Sequence, residues 1–345
     1  MKSLKDYSLD ITEKEYHAYP AWSHSVINKY AKRGFAALKT LNEPVVETPE
    51  MRFGTLFDTI LTKGKEAIKS YLVMNVKVPE AEKNALNALY SMTNGRYVTV
   101  ESVPDDIITS ACDASNYYKN WGVKARKNHL SEYNDYFNAL ASGKTIISSV
   151  DWEDALEMAR IFRNDKYLSS LYGTKSTSEI EYLYQTKFVQ EIEVNGKPVK
   201  IKCMPDLIVV NHKEKTVQPV DLKTCSMPAY DFKENFVNFR YDTQASMYST
   251  IIRIIMDSDD DYKEYRLLPY LFTTISRVDK VPVTYVYNPF DESQINGLAF
   301  KTFKYKFWRD CLSEILEYQE SNAVVPKNIM LEKPNDIIEI LSYGN

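Results

Sequence analysis

The sequence predicts a mixed α/β (α+β) protein, with a central mixed β-sheet flanked by helices. Two observations favour this class. Helical periodicity dominates residues 23–172, and from Thr177 the chain becomes rich in β-branched and aromatic residues. A helix, two strands and a closing helix follow, an order expected of a sheet covered by helices.

Composition limits the possible classes. The 345 residues are 44% hydrophobic and 26% charged, enough for a sizeable core and not typical of disorder. The net charge of -4 counts mildly against nucleic acid as a partner, although a basic groove can lie on an acidic body. Only 10 glycines occur, and neither of the glycine-rich phosphate-binding motifs GxxxxGK(S/T) and GxGxxG is present, so a glycine-rich phosphate loop is not expected. Without an apolar run of signal-peptide or membrane-spanning length, we expect a cytoplasmic protein and no membrane partner.

The helical elements are predicted first. Residues 1–22 are expected to form an irregular arm. Apolar spacing predicts an amphipathic helix over 23–41 and a second helical stretch over 51–72, while 105–140 should be mainly helical. A further helix is expected over 151–171, with Ala155, Met158, Ala159 and Phe162 on its buried face.

The strands follow. Asn195-Gly196 marks a hairpin within a meander of at least three strands. A helix is predicted over 241–256 and is followed by two strands. A closing helix is predicted over 300–319. We expect one domain over 23–320, in which 173–320 holds the sheet, and a C-terminal tail over 321–345.

The strongest chemical signal is Pro205-Asp206 followed by Asp221-Leu222-Lys223. Residues two apart on a strand face the same side, so Asp221 and Lys223 project together, and an antiparallel neighbour can place Asp206 beside them. Two converging carboxylates repel each other unless a hard cation such as Mg²⁺ binds both. Lys223 would then lie near a metal-bound water, as in phosphodiester hydrolysis. The alternative is a buried Asp–Lys ion pair.

Other residues were weighed as additions to this site. Glu179 and Glu181 share a strand face, and we prefer Glu181 to Glu179 as the carboxylate that completes the site. The alternative for either residue is a solvated glutamate at the strand edge. Gln244 and Tyr248 share a helix face and could reach a phosphate or a base edge, or Tyr248 could be core and Gln244 surface. Asp58 is a carboxylate in an apolar helical segment, either a metal ligand or an exposed helix residue.

Two further features concern ligands. Residues 117–129 interleave aromatic rings with Lys119, Lys124, Arg126 and Lys127, which suits a phosphate backbone and stacked bases but also a solvated helix face. The four cysteines are far apart without a CxxC pair, so we expect neither zinc nor an iron–sulfur cluster.

These motifs resemble a known family. GTLFD, Glu181, Pro205-Asp206, Asp221-Leu222-Lys223-Thr224 and Tyr241-x-x-Gln244-x-x-x-Tyr248 occur in the order found in the RecB-like branch of the PD-(D/E)XK nucleases. The similarity is greatest to phage-type exodeoxyribonucleases related to RecE (exonuclease VIII), and more distant to lambda exonuclease. One departure is Asp58, which stands where relatives usually carry histidine.

The resemblance implies a restriction-endonuclease-like core and Mg²⁺- or Mn²⁺-dependent exonucleolytic degradation of linear double-stranded DNA, in phage recombination or DNA processing in a bacterial cytoplasm. It implies a homo-oligomer, with a single-strand annealing protein as a further partner. Asp206, Asp221, the Leu222 carbonyl and Asp58 would bind metal, with Lys223 and Glu181 completing catalysis. Tyr241, Gln244 and Tyr248 would line the DNA path. Lys124 and Arg126 are expected to contact DNA from the composition of residues 117–129 and not from the resemblance. The alternatives are an inactive DNA-binding or assembly protein with the nuclease fold, and an endonuclease.

Overall fold

The computed structural model describes residues 2–43, 47–75, 77–295 and 306–321. Its longer helices alternate with short 3-10 turns. The helices are α1 (Glu13–Ala18), α2 (His24–Arg33), α3 (Pro49–Lys63), α4 (Ala67–Ser70), α5 (Glu80–Thr93), α6 (Asp105–Ala114), α7 (Val123–Ser131), α8 (Asn134–Ala139), α9 (Ser149–Asn164), α10 (Lys166–Leu171), α11 (Phe232–Phe239), α12 (Tyr241–Asp257) and α13 (Trp308–Ser321).

The strands form three groups in the described part of the chain. In chain order they are β1 (Trp22–Ser23), β2 (Tyr71–Met74), β3 (Thr145–Ser148), β4 (Ile180–Tyr184), β5 (Phe188–Val194), β6 (Lys197–Cys203), β7 (Leu207–Asn211), β8 (Thr216–Cys225), β9 (Arg266–Leu267), β10 (Tyr270–Ser276) and β11 (Pro282–Tyr287). The largest sheet has the order β11-β10-β8-β7-β4, with β9 beside β8, and a second has the order β1-β6-β5. Strands β2 and β3 form a parallel pair.

The mixed α/β class predicted from the sequence is confirmed, since β8 pairs antiparallel with β7 and parallel with β10. The Asn195-Gly196 turn is also confirmed, and both of its residues have positive φ, as a two-residue hairpin of this kind requires. The predicted meander of at least three strands is divided between two sheets. The chain leaves the sheet of β5 and β6 after Cys203 and enters the largest sheet at Leu207.

The N-terminal arm is more regular than predicted. It contains a 3-10 turn at Leu4–Tyr7 and the short helix α1, each opened by a capping box. In α1 the Thr12 side chain accepts from the Glu15 amide, while the Glu15 carboxylate accepts from the Thr12 amide. The predicted helix over 23–41 is helical to Arg33 and continues as a 3-10 turn from Gly34.

The chain divides into two compact units, one holding the described residues up to Met51 and from Ile161, the other Arg52–Arg160. The helical part was predicted over 23–172, so the helical unit is shorter at both ends. The predicted start of the closing helix at Phe300 lies outside the described residues, and so does the tail beyond residue 321.

Helix α12 lies against one face of the large sheet. Met247, Ile251 and Ile252 share a core with Ile208 and Val217 of β7 and β8. Because alternate strand residues face the same side, positions 206 and 221 also face α12. Among the described residues, no helix has the length and apolarity needed to cross a bilayer.

Candidate active site

Asp206 and Asp221 face each other across the end of β7. Leu207 pairs with Val220 in the antiparallel ladder, so one step further along the two strands Asp206 stands opposite Asp221. Strand β8 runs on past this point while β7 has ended. The Leu222 amide therefore donates to Oδ2 of Asp206 at 2.7 Å, where another strand would otherwise accept.

The Leu222 carbonyl belongs to the same edge. In an extended strand the N–H and C=O of one residue point to the same neighbour, so this carbonyl points to the side on which Asp206 lies. Leu222 pairs with Thr273 of β10 only on its other side. Carboxylate and carbonyl oxygens thus collect where β7 ends.

Asp221 is held in place by two neighbours. It is only 1% exposed, the Gln244 side-chain amide donates to its Oδ1, and the Lys223 ammonium lies 2.7 Å from its Oδ2. Oδ2 is buried, and the Lys223 ammonium is the group that faces it. A buried carboxylate oxygen in this state is a suitable ligand for a hard cation.

The Lys223 ammonium is enclosed by oxygen atoms and an aromatic ring. Its Nζ donates to Oε1 of Gln244 at 3.4 Å and lies 4.7 Å from the centroid of the Tyr241 ring. Burial alone would lower the pKa of Lys223, but the charges of Asp221, Tyr241 and Asp206 together raise that pKa above its ordinary value. Lys223 is therefore a cation at neutral pH and not a proton acceptor.

Gln244 bridges the two charges. It is 7% exposed and lies in the first turns of α12, where its amide binds Asp221 while its carbonyl accepts from Lys223. The sequence predicted a residue lining a DNA path, but the structure places Gln244 directly against the carboxylate–lysine pair. The spacing of four between Gln244 and Tyr248 predicted that they share a helix face, but it could not predict that Gln244 contacts Asp221 and Lys223.

Arg240, which the sequence did not single out, fixes the start of α12. It is 3% exposed, with φ of 56°, and its guanidinium forms an ion pair with Asp242 at 2.9 Å. A left-handed residue after a helix is usually Gly or Asn, so an arginine there gives no sequence signal. The Arg240 guanidinium also donates to the Lys306 carbonyl at 2.9 Å, so the start of α12 is held by bonds on both sides.

Tyr248 lies one helical turn beyond Gln244 on α12, and His24 of α2 lies beside it. Tyr248 is half-buried, and its ring meets the His24 ring edge to face, with centroids 6.2 Å apart. Burial, reinforced by Lys223, Lys32 and Arg240, lowers the pKa of His24 to about 3, so its imidazole is neutral. The His24 ring is half-buried.

Glu181 lies elsewhere on the sheet. It pairs with Val210, four positions along β7 from Asp206 and so roughly 13 Å away at the usual rise per residue. Its carboxylate accepts from the Ser3 hydroxyl and lies 3.8 Å from Nε2 of His212. The structure does not bring Glu181 to the Asp206–Asp221–Lys223 cluster, because the strand register, unknown from sequence, places it at the far end of β4.

Three other predicted site residues belong to the second unit. Asp58 is half-buried on α3, and its role as a metal ligand stays a prediction. Lys124 is exposed on α7. Arg126 is 5% exposed and its guanidinium binds Asp113 and the carbonyls of Tyr118 and Lys119. These bonds are all internal to the protein, and the contact between Arg126 and DNA stays a prediction.

Cysteine thiols are the other kind of ligand that a metal site could use. All four cysteines are buried thiols, and burial raises the pKa of each. The described residues hold no group of three or more His, Cys, Asp or Glu side chains arranged around one point. The oxygen-rich edge at Asp206, Leu222 and Asp221 has two carboxylates and a backbone carbonyl instead.

Comparisons with known proteins add little to this geometry. No family model matches the chain, and no curated protein matches it. Among solved structures, the chain is similar to a crystal structure of SSO0001, with 14% identity over 59% of this chain and 76% of that chain. The TM-score of that superposition is 0.25, and a likeness of this extent supports no conclusion on fold or function.

Proposed function

We propose that this chain is a Mg²⁺-dependent deoxyribonuclease with a PD-(D/E)XK core, which hydrolyses linear double-stranded DNA from its ends. The observation that supports the proposal most is the meeting of Asp206, Asp221, Lys223 and Gln244 at the point where β7 ends. A plain structural ion pair would account for Asp221 and Lys223, but not for a second carboxylate opposite them.

The residues present fit a divalent cation. Asp206, Asp221 and the Leu222 carbonyl offer only oxygen ligands, which Mg²⁺ and Mn²⁺ accept, and Oδ2 of Asp221 is buried with the Lys223 ammonium beside it. When bound there, Mg²⁺ supplies Lewis-acid stabilisation of phosphoryl oxygens and lowers the pKa of a coordinated water.

Each side chain has a separate task in this proposal. Gln244 orients the Asp221 carboxylate and prevents it from rotating away from the edge. The Lys223 ammonium, held protonated by its carboxylate neighbours, orients the attacking water and stabilises negative charge on the phosphate. Tyr241 supports that ammonium through its ring face.

The test uses linear duplex DNA with Mg²⁺ or Mn²⁺, and follows acid-soluble nucleotide release. We expect hydrolysis by the unaltered protein, and at least a hundred-fold slower hydrolysis after Lys223→Ala, as loss of one charge-stabilising group typically causes. Lys215→Ala is the matched control, because Lys215 is an exposed lysine in the turn before β8 and its ammonium pairs with Glu264. Its activity should equal that of the unaltered protein.

The outcomes separate the alternatives. Hydrolysis that survives Lys223→Ala would remove the proposed mechanism. No hydrolysis with either metal, but retained duplex binding, would point to the inactive DNA-binding protein. Cleavage of closed circular DNA would indicate an endonuclease, since an enzyme that requires ends leaves that substrate intact.

A further inference from the structure

The loop between α6 and α7 in the second unit presents two aromatic rings to solvent. Tyr118 and Trp121 are 44% and 42% exposed, and their rings stack with centroids 4.3 Å apart and planes at 15°. Buried Tyr117 meets Tyr118 edge-on at 4.7 Å, and His129 lies 5.7 Å from Trp121. We call Tyr118 and Trp121 the aromatic platform.

The platform is held in a fixed position. Tyr118 has φ of 34°, a left-handed conformation that is unfavourable for a bulky residue and has to be stabilised by its surroundings. Arg126 does this by donating to the Tyr118 carbonyl at 3.1 Å and to the Lys119 carbonyl at 2.9 Å, while Asp113 balances its charge. A buried arginine thus positions a strained, solvent-facing pair of rings.

The segment that carries the platform is rich in basic residues, and carboxylates border it: Asp113 binds Arg126, and Glu82 and Glu132 lie 3.3 and 3.6 Å from the His129 ring. Residues 114–131 contain four Lys or Arg and no Asp or Glu. Arg126 and Lys127 are engaged with carboxylates, but Lys119 and Lys124 are exposed. Two exposed cations therefore lie in the same short segment as two exposed rings, a combination that suits a polyanion whose repeating units carry flat aromatic groups.

We propose that the aromatic platform binds unpaired bases of a DNA strand, with Lys119 and Lys124 contacting its phosphates. A base has two π faces and stacks on tyrosine or tryptophan whatever its sequence, while lysine contacts to phosphate carry no base information. The inference rests on the proposed function only in naming DNA as the polymer. It assigns to the second unit a contact with single strands that is separate from phosphodiester hydrolysis.

Binding is tested without hydrolysis, in EDTA. The probe is a fluorescent oligothymidylate of roughly 12 nucleotides, within the ~4–16 nucleotides that one single-strand-binding module covers. We expect the variant carrying both Tyr118→Ala and Trp121→Ala to bind at least ten-fold more weakly in fluorescence anisotropy, and Trp121→Phe to retain most of the affinity. Tyr167→Ala is the matched control, since Tyr167 is an exposed tyrosine of the other unit, and should bind normally.

Electrostatics provide a second measurement. Lys124→Ala should reduce the slope of log affinity against log salt by about one, as the loss of one phosphate contact requires. Unaltered affinity in the double alanine variant, with an unchanged thermal midpoint, would overturn the inference, as would no oligothymidylate binding by the unaltered protein. Normal hydrolysis of duplex DNA alongside either result would leave the nuclease proposal intact, whereas platform binding without any hydrolysis would refute only that proposal.

Discussion

The bond between Gln244 and Asp221 gives a quantitative test of the site geometry. Gln244→Leu keeps the size of the side chain but removes the donor to a carboxylate that is 1% exposed. Because a buried hydrogen bond to a charged group contributes about 1.5–3 kcal/mol, we expect the free energy of unfolding to fall by about 2 kcal/mol. The loss arises chiefly from a buried anion left with fewer partners.

A double-mutant cycle isolates this contact. Gln244→Leu is combined with Asp221→Ala, and opening free energies are measured by native-state hydrogen exchange of β8 and α12 peptides, which report on this unit alone. The coupling energy should be about 1.5–3 kcal/mol, because removing either partner already abolishes the bond. In a parallel cycle, Gln218→Leu serves as the control.

Gln218 lies three positions before Asp221 on the same strand, about 10 Å away and facing the opposite side. Its side-chain amide donates to the Pro269 carbonyl rather than to the carboxylate cluster. Coupling between Gln218 and Asp221 should stay below about 0.5 kcal/mol. An equally small coupling between Gln244 and Asp221 would refute the placement of Gln244 in the site.

Three further predictions concern pH and packing. The pKa of Lys223 is raised on folding, so its contribution to stability should be constant below about pH 10.4 and be lost only as pH rises through the higher folded pKa. The difference in unfolding free energy between the unaltered protein and Lys223→Met should therefore not change between about pH 6 and 9. The pKa of His24 is lowered to about 3, so the protein should lose stability as pH falls from about 6.5 towards 3, and His24→Gln should lose less over that range in urea titrations. The buried Lys202 ammonium donates to the carbonyls of Tyr16, His17 and Tyr19, so Lys202→Met should lower the free energy of unfolding by about 1–3 kcal/mol. Lys200 is exposed, and Lys200→Met should leave that free energy unchanged; equal effects of the two substitutions would contradict the contact.

Local features of the sequence were sufficient for the elements. The Asn195-Gly196 turn, the apolar spacing of Ala155, Met158, Ala159 and Phe162, and the strand on which Asp221 and Lys223 share a face all follow from periodicities of the backbone itself. These properties depend on neighbours within a few residues, and so a single sequence contains them.

Long-range register was decided only by the tertiary structure. That β7 ends opposite Asp221, that Gln244 reaches across to it, and that Glu181 pairs far along the sheet depend on which strands and helices meet. Arg126 likewise reads as a surface cation in sequence, yet in the fold it is 5% exposed and holds the loop of Tyr118. A sequence shows the chemical type of each side chain, but the partner that gives it a task is chosen by packing between segments that are distant along the chain.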